Sequence, residues 1–419
     1  MAEMELMQDF SDPAVLAYPH DLLATLRATR PVCPVRDPRG STIYLVTSAA
    51  LIDEATKRTE DFSSHFAHLL VAGDIANPKV AEILSQEPST SGLLLTSDDP
   101  DHKRYRALVN QVFAQGRVAN LAPTIEGIAD ELIDAMVAKG HADFVNDFAV
   151  LLPTYVIADI LGLSRKDWHL VRTWSDSVIR IVSRMGTPEE EIAAAHDVIA
   201  FRRFIRETVE ARRREPQDDL ISNLVSVRLD GLEPLTDQEA ADLTFEISVA
   251  GNETTRNTLM SGLAQLLRHP DQLEALRDDT SLLANAIEEL LRYETPATSM
   301  WRIAAHDTEL GGVSIPEGAE LLLRYDAANR DPARFADPDS FDIRRKNARM
   351  HVAFGAPGVH RCLGQMLARK ELMIALPRLL ARLRNIRIIG DSDTAYWPGL
   401  LHRGIGSLHI AFDDVARDG

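Results

Sequence analysis

Apolar residues return at three- and four-residue steps over 104–118, 123–138, 155–163, 166–184, 188–213, 236–268, 271–278, 281–293 and 363–383. That is the spacing of one buried face on an α-helix, and it predicts a mostly helical body. Strand-like runs are fewer and clustered: STIYLVT from Ser41, ELGGVSIP and AELLLRY between Glu309 and Tyr325, and SLHIAF near the C-terminus. Gly311-Gly312 and Pro316-Glu317-Gly318 supply the turns between the middle ones. The expectation is a mainly α fold with a small peripheral β-sheet. No internal repeat, low-complexity tract or Gly/Ser linker marks a boundary, so residues 1–419 read as one domain.

Composition narrows the function classes. The chain is 45% hydrophobic and 26% charged, ordinary for a globular protein, and its formal net charge of −18 speaks against a nucleic-acid partner. The apolar stretch from Phe144 to Leu163 is interrupted by Asn146, Asp147, Pro153 and Asp159, which marks it as buried helix and not a membrane span. The opening MAEMELMQDF has neither a basic n-region nor an apolar h-region, and Cys33 and Cys362 are too few for a disulfide framework. A reducing cytoplasm is the expected compartment. Cys33, between two prolines in RPVCPV, reads as a buried free thiol on an extended segment.

Cys362 reads differently. It lies in FGAPGVHRCLGQMLARKEL, which starts at Phe354; Gly355, Pro357 and Gly358 disfavour regular structure, while Leu363 onward has helical spacing and good helix formers. Cys362 is therefore expected at a helix N-terminus, where unpaired N–H groups and the positive dipole end favour a thiolate. Such a sulfur can be a nucleophile, a metal ligand or a quiet core thiol. The flanking His360 and Arg361 make mere packing costly, and no ligand set at zinc spacing accompanies the thiol. A hydrolase pair of Cys362 and His360 would sit two residues apart on one loop, a poor geometry for facing each other.

Three further stretches combine unusual residues. In ISVAGNETTRN, Leu243, Ile247, Ala250, Gly251 and Thr254 share a helix face. A mid-helix glycine costs about 1 kcal/mol relative to alanine, so Ala250-Gly251 implies a close approach, either of something flat or of another helix. Glu253 and Thr254 add an acid and a hydroxyl at that point. Glu289 and Arg292 stand at i and i+3, a spacing that alone signifies a solvated ion pair. In DDPDHKRYRALV, Asp99-Pro100 reads as a helix start, with His102 and Arg106 at i and i+4 on what could be an exposed face.

Together these stretches resemble the signatures of the cytochrome P450 family, in order and approximate spacing over nearly the whole chain. The loop around Cys362 is similar to the haem-ligand loop, with Phe, Gly, His, Arg, Cys and Gly in sequence. The resemblance implies that Cys362 is the thiolate ligand to the iron of haem b, that Gly358 permits the tight turn, that Gly364 lets the helix approach the porphyrin, and that His360 bonds a propionate. One departure is that Phe354 stands eight residues before the cysteine where the family usually has seven, with Pro357 as the extra residue. AGNETT resembles the oxygen-activation helix, implying that Ala250 and Gly251 border haem while Thr254 and Glu253 deliver protons to bound oxygen. Glu289-Leu-Leu-Arg292 resembles the ExxR element, completed by Arg345 rather than Arg344. His102, Arg106 and Arg302 match propionate-binding positions, and Ile247, Ala250 and Met300 match substrate contacts.

The resemblance implies monooxygenation: insertion of one atom of O₂, the co-substrate, into a hydrophobic organic molecule of terpenoid, steroid, fatty-chain or aromatic type. The chain carries no Gly-rich dinucleotide fingerprint and no iron–sulfur cysteine cluster. Electrons are therefore expected from a separate ferredoxin fed by an NAD(P)H-dependent reductase, docking near Arg361, Arg369 and Lys370. A peroxygenase would not need the Glu253–Thr254 pair. A non-catalytic haem-thiolate sensor or recruitment protein is the alternative from another class, and the two proton-relay residues argue against it.

Overall fold

The longest helix, Asp237–Arg268, starts at a reciprocal cap: Glu239 N–H donates to Thr236 Oγ1 at 3.1 Å and Thr236 N–H to Glu239 Oε2 at 2.8 Å. This computed structural model describes residues 10, 12–37, 40–72, 77–87, 93–113, 115–183 and 187–414. Arg104 and the Tyr105 hydroxyl, on the Asp101–Val112 helix, both bond the Glu239 carboxylate, at 2.7 and 3.0 Å. The cap is thus also the tether between those two helices. Buried hydroxyls along the long helix turn back on their own backbone, Thr244 to Ala240 O at 2.7 Å and Ser248 to Thr244 O at 2.6 Å, so polar residues survive in the core.

Helices Leu151–Ile160, Trp168–Ser183, Pro188–Arg214, Leu283–Glu294 and Gln365–Arg382 pack around this axis, sharing a core that includes Leu259, Leu263, Leu290, Leu376 and Phe148. A Cβ on Gly251 would stand 2.6 Å from Ile157 Cδ1, so this glycine is required by the crossing of the Leu151–Ile160 helix. Of the two approaches that a mid-helix glycine allows, the protein uses helix packing at Gly251.

A five-stranded sheet lies beside the helices in the order Val32–Arg36, Thr42–Val46, Glu320–Arg324, Ser299–Ala304, Phe62–Ser63. Thr42–Val46 runs parallel to Glu320–Arg324, with Tyr44 opposite Leu321; the other pairs are antiparallel. Pro34 sits in the edge strand, where its missing N–H breaks no internal ladder. His141–Asp143, His409–Asp414 and Leu383–Ile388 form a second sheet, and Thr308–Leu310 with Val313–Ile315 a hairpin. Gly311 and Gly312 turn that hairpin at φ of 58° and 79°, the left-handed pair that a tight two-residue turn needs.

The expected helices are present with shifted ends. The one expected over 104–118 is two pieces, Asp101–Val112 and Gln115–Asn120, and residue 184 at the expected end of another lies outside the described residues. Phe144–Leu163 is a π-turn at Val145–Ala149 followed by the Leu151–Ile160 helix. Among the described residues no helix is long and apolar enough to cross a membrane.

Glu289 and Arg292 are fully buried and joined by two 2.7 Å bonds, from Arg292 Nε and Nη2. The remaining Arg292 donors reach the carbonyls of Asn329, Pro338 and Ser340, so its whole fork is satisfied. Arg345 Nε adds a 3.1 Å bond to Glu289 Oε1 and its other nitrogens hold the carbonyls of Ala336, Asp337 and Ser340. The pair read in isolation as solvated is instead a buried triad that pins the 329–345 connection ahead of the Cys362 loop.

Removing one member leaves an uncompensated buried charge. Arg292→Ala should lower unfolding free energy by about 3–5 kcal/mol in urea titrations, with Arg345→Ala costing less because it makes one bond to Glu289. Burial opposes ionisation of Glu239, but Arg104, the Thr236 backbone and Tyr105 outweigh it and hold its pKa at about 2. Its folded value lies below its unfolded one, so its stabilisation is complete above the ordinary carboxylate range and lost as pH falls through about 2. The stability gap between the wild type and Glu239→Gln should therefore be wide at neutral pH and close in strong acid.

Candidate functional site

Gly355, at φ +86°, makes the left-handed bend of the Cys362 loop, and Cys362 N–H donates to Phe354 O at 2.9 Å to close it. The bend thus falls at Gly355 and not at Gly358; what Gly358 provides is room for the Thr56 carbonyl, which would lie 3.0 Å from an added Cβ. Pro357, Gly358 and Val359 are exposed, so the extra residue of the loop bulges outward. Phe354 is buried beneath the Arg369 guanidinium, 4.4 Å from its ring centre, and Arg369 in turn grips Glu288 at 2.7 Å, which holds His351 at 2.9 Å.

The Gln365–Arg382 helix begins just after Cys362, and the N–H groups of Gly364 and Gln365 bond the sulfur. Burial nevertheless pushes the thiol up, outweighing those bonds and the nearby charges of Arg106 and Arg369. The helix start alone does not secure a thiolate here; a cation on the sulfur would. Cys362 keeps accessible surface although protein surrounds it, which places its sulfur on an internal cavity. An added Cβ on Gly364 would meet nothing closer than that sulfur at 4.0 Å, leaving a flat approach beside it.

The His102 and His360 rings lie tilted against each other, 4.0 Å between centres. Burial, with the charges of Arg302, His102 and Arg106, drives the His360 pKa down to about 3, and burial likewise lowers His102, Arg106 and Arg302. His102 Nε2, His360 Nε2 and Arg302 Nε are buried without a hydrogen-bond partner. Buried polar atoms left without a protein partner call for polar atoms of a ligand, and the Arg302 guanidinium among them favours an anion. The four side chains expected to neutralise two propionates are thus brought together beside Cys362, and they fit that group.

On the long helix, Glu246, Ala250 and Thr254 retain accessible surface at four-residue steps, between neighbours such as Leu243, Ile247, Ser248 and Asn252 that are buried. Thr254 Oγ1 donates to Ala250 O at 3.2 Å. Ile247, expected among substrate contacts, packs in the core, and sequence reading passed over Glu246 in its place. Its position one turn before Ala250 was the available signal. Met300 is half-buried, on the strand next to Arg302.

Glu253 points elsewhere: buried, it meets Arg256 Nη2 at 2.5 Å and Asn257 Nδ2 at 3.0 Å. Arg256 also holds Asp176 at 2.9 Å, and Asp176 is half-exposed, so a charged chain runs from the surface to the residue beside Thr254. Asn252, Ser175 and Thr154 line the same cleft. Of the basic residues expected at a docking surface, Arg369 is committed to Glu288 and Phe354, and Arg361 bonds Gln365 at 3.3 Å.

The family model described as Cytochrome P450 matches residues 160–388. Steroid C26-monooxygenase of Mycolicibacterium smegmatis is 39% identical over 394 residues, 93% of this chain and 92% of that protein. The 6-deoxyerythronolide B hydroxylase of Saccharopolyspora erythraea is 37% identical over 402 residues, 93% of this chain and 95% of that protein. The structure of CYP109Q5 from Chondromyces apiculatus superposes with a TM-score of 0.84 at 33% identity, covering 98% of this chain and 99% of that one. The fold is therefore the P450 fold, and the chain belongs to the cytochrome P450 family of haem- and O₂-dependent monooxygenases.

Proposed function

We propose that the chain is a single-domain, cytoplasmic monooxygenase that holds haem b through Cys362 and oxidises a hydrophobic small molecule with electrons from a separate ferredoxin and its NAD(P)H-dependent reductase. The observation that carries this reading is the set of orphaned donors on His102, His360 and Arg302 around one accessible but enclosed thiol. Haem, when bound, supplies an iron that activates O₂ with two electrons, one oxygen atom entering the substrate and the other leaving as water.

Every remaining task falls to side chains. Cys362 is the ligand, its negative charge favoured by the N–H groups of Gly364 and Gln365. His102, Arg106, Arg302 and His360 bind the propionates, and the small Ala250 leaves room on the distal side. Thr254 holds a hydroxyl proton at the cavity, tethered to the Ala250 carbonyl. Glu253 brings protons inward from the Asp176 cleft, with Arg256 fixing its carboxylate between turnovers. Ala250 and Met300 border the substrate. The names of relatives support the class: one is named for a steroid and another for 6-deoxyerythronolide B.

The reduced protein under carbon monoxide should show the red-shifted Soret band of a thiolate-ligated haem, and Cys362→Ser should lose it; a haem-free wild type would sink the reading. Thr254→Ala should continue to consume O₂ and reductant while forming several-fold less product per O₂, the difference appearing as hydrogen peroxide. Glu253→Gln should slow turnover by about 10²-fold, the lower end of what a positioned acid contributes, with substrate binding unchanged by spectral titration.

A further inference from the structure

Five buried polar atoms that find no hydrogen-bond partner among the described residues belong to three side chains the proposed chemistry does not use: His20 Nδ1 and Nε2, Arg330 Nε, and Arg403 Nε and Nη1. Arg330 and Arg403 are each 7% exposed. Buried nitrogens of this kind are costly unless something bonds them.

Three distant parts of the chain bring them together. His20 opens the His20–Thr29 helix, which packs on Tyr325–Ala328, and Arg27 of that helix donates to Ala327 O at 3.0 Å. Two residues before His20, the Tyr18 ring meets Tyr396 edge-on at 5.8 Å, and the Arg403 guanidinium lies 3.5 Å from the centre of the same Tyr396 ring. Arg330 covers Tyr293 at 4.1 Å and donates to its carbonyl at 3.2 Å, beside Glu294. After burial, the influences that act most strongly on His20 are the charges of Arg330, Arg403, Arg324 and Arg27, and all of them hold it well below the usual imidazole range.

The charges do not balance inside the fold. Arg324 is paired with Asp326, and Arg27 stands 3.9 Å from Asp331. Arg403 Nη1 stands 3.7 Å from Glu294 Oε2, beyond hydrogen-bond reach, while that oxygen accepts from the Tyr396 hydroxyl at 2.8 Å. The acid of Arg330 is Asp339, at 2.9 Å, and its side chain is 72% exposed. Four largely buried guanidinium groups thus meet three buried carboxylates, and the fourth carboxylate is screened by solvent. A water molecule could bond the orphaned nitrogens but brings no charge; a small anion satisfies the bonds and the excess together.

We propose that His20, Arg330 and Arg403 form a binding site for a small inorganic anion of the chloride type. Donors so enclosed suit a monatomic ion and exclude an organic acid. The ion fastens the N-terminal helix to segments that lead to the cavity: Arg403 N–H donates to Pro296 O at 3.1 Å, Thr298 N–H to Leu401 O at 2.9 Å and the Thr298 hydroxyl to Leu400 O at 3.1 Å, two residues before Met300. Its binding is therefore folding free energy for the 296–300 and 400–403 stretches.

The probes are chloride and bromide, applied to the haem-replete protein. In urea titrations at constant ionic strength, replacing gluconate with chloride should lower the unfolding constant saturably, about tenfold once chloride stands tenfold above its dissociation constant. Crystals grown in bromide should show an anomalous peak in contact with the His20 ring and the Arg403 guanidinium. His20→Phe keeps a ring but removes both nitrogens, and should lose the chloride response and the peak. Equal unfolding midpoints in the two salts, no bromide peak between His20 and Arg403, or a chloride response that survives His20→Phe would each overturn the proposal. If His20→Phe does not fold, the two wild-type measurements decide alone: both positive uphold the site, and either one negative removes it.

Discussion

A thiol buried in protein resists ionisation, and this constraint organises the structure around Cys362. Burial raises its proton affinity against every local influence, including two backbone N–H groups and two arginines. The anion is sustained only when a cation sits on the sulfur. The surroundings are consistent with such a partner: cationic and ring-nitrogen groups whose polar atoms find no protein acceptor stand close by, and the face of Gly364 beside the sulfur is clear. Protein and prosthetic group are each electrostatically incomplete there.

The rigid parts of the fold hold that incompleteness in place. The Glu289–Arg292–Arg345 triad fastens the connection leading into the ligand loop, and the Glu239 cap fastens the helix bearing His102 and Arg106 to the long helix bearing Thr254. Both devices place charged groups where their hydrogen bonds are complete, which is why burial is tolerated. His102 Nε2, His360 Nε2 and Arg302 Nε, by contrast, are left without a protein partner around the thiol. The two anchoring devices are fully bonded, while the side chains they position keep polar atoms free for a ligand.

The long helices were legible because their apolar faces span several turns, as in Ile125, Ile128, Ile133 and Met136 of Ala122–Val137. Short ones such as His20–Thr29 and Ala49–Lys57 escaped, since two buried turns against a sheet leave too few repeats to read. The strand Ser299–Ala304 was equally hidden: it carries Arg302 inward, which breaks an apolar run, and its pairing partners come from distant segments. For the site, motif spacing located the residues, but not their directions. Gly251 was read with the cavity and faces Ile157; Ile247 was read with the substrate and faces the core; Glu246 was passed over because a glutamate on a helix ordinarily means solvent. Arg369, read as a surface cation, is held by Glu288 over Phe354 because a partner far along the chain claims it.

The outward bulge at Pro357–Val359 has a consequence for how this loop can change. The Cys362 N–H to Phe354 O bond closes the loop at its base, and Arg369 clamps Phe354 from the other side. Pro357 and Val359 lie on the exterior between those anchors, so their chemistry can vary without displacing the sulfur, while buried Ala356 and the inward His360 of the same stretch stay fixed. The metal-binding end of the loop and its outer rim are in this sense separate evolutionary modules joined by one backbone hydrogen bond.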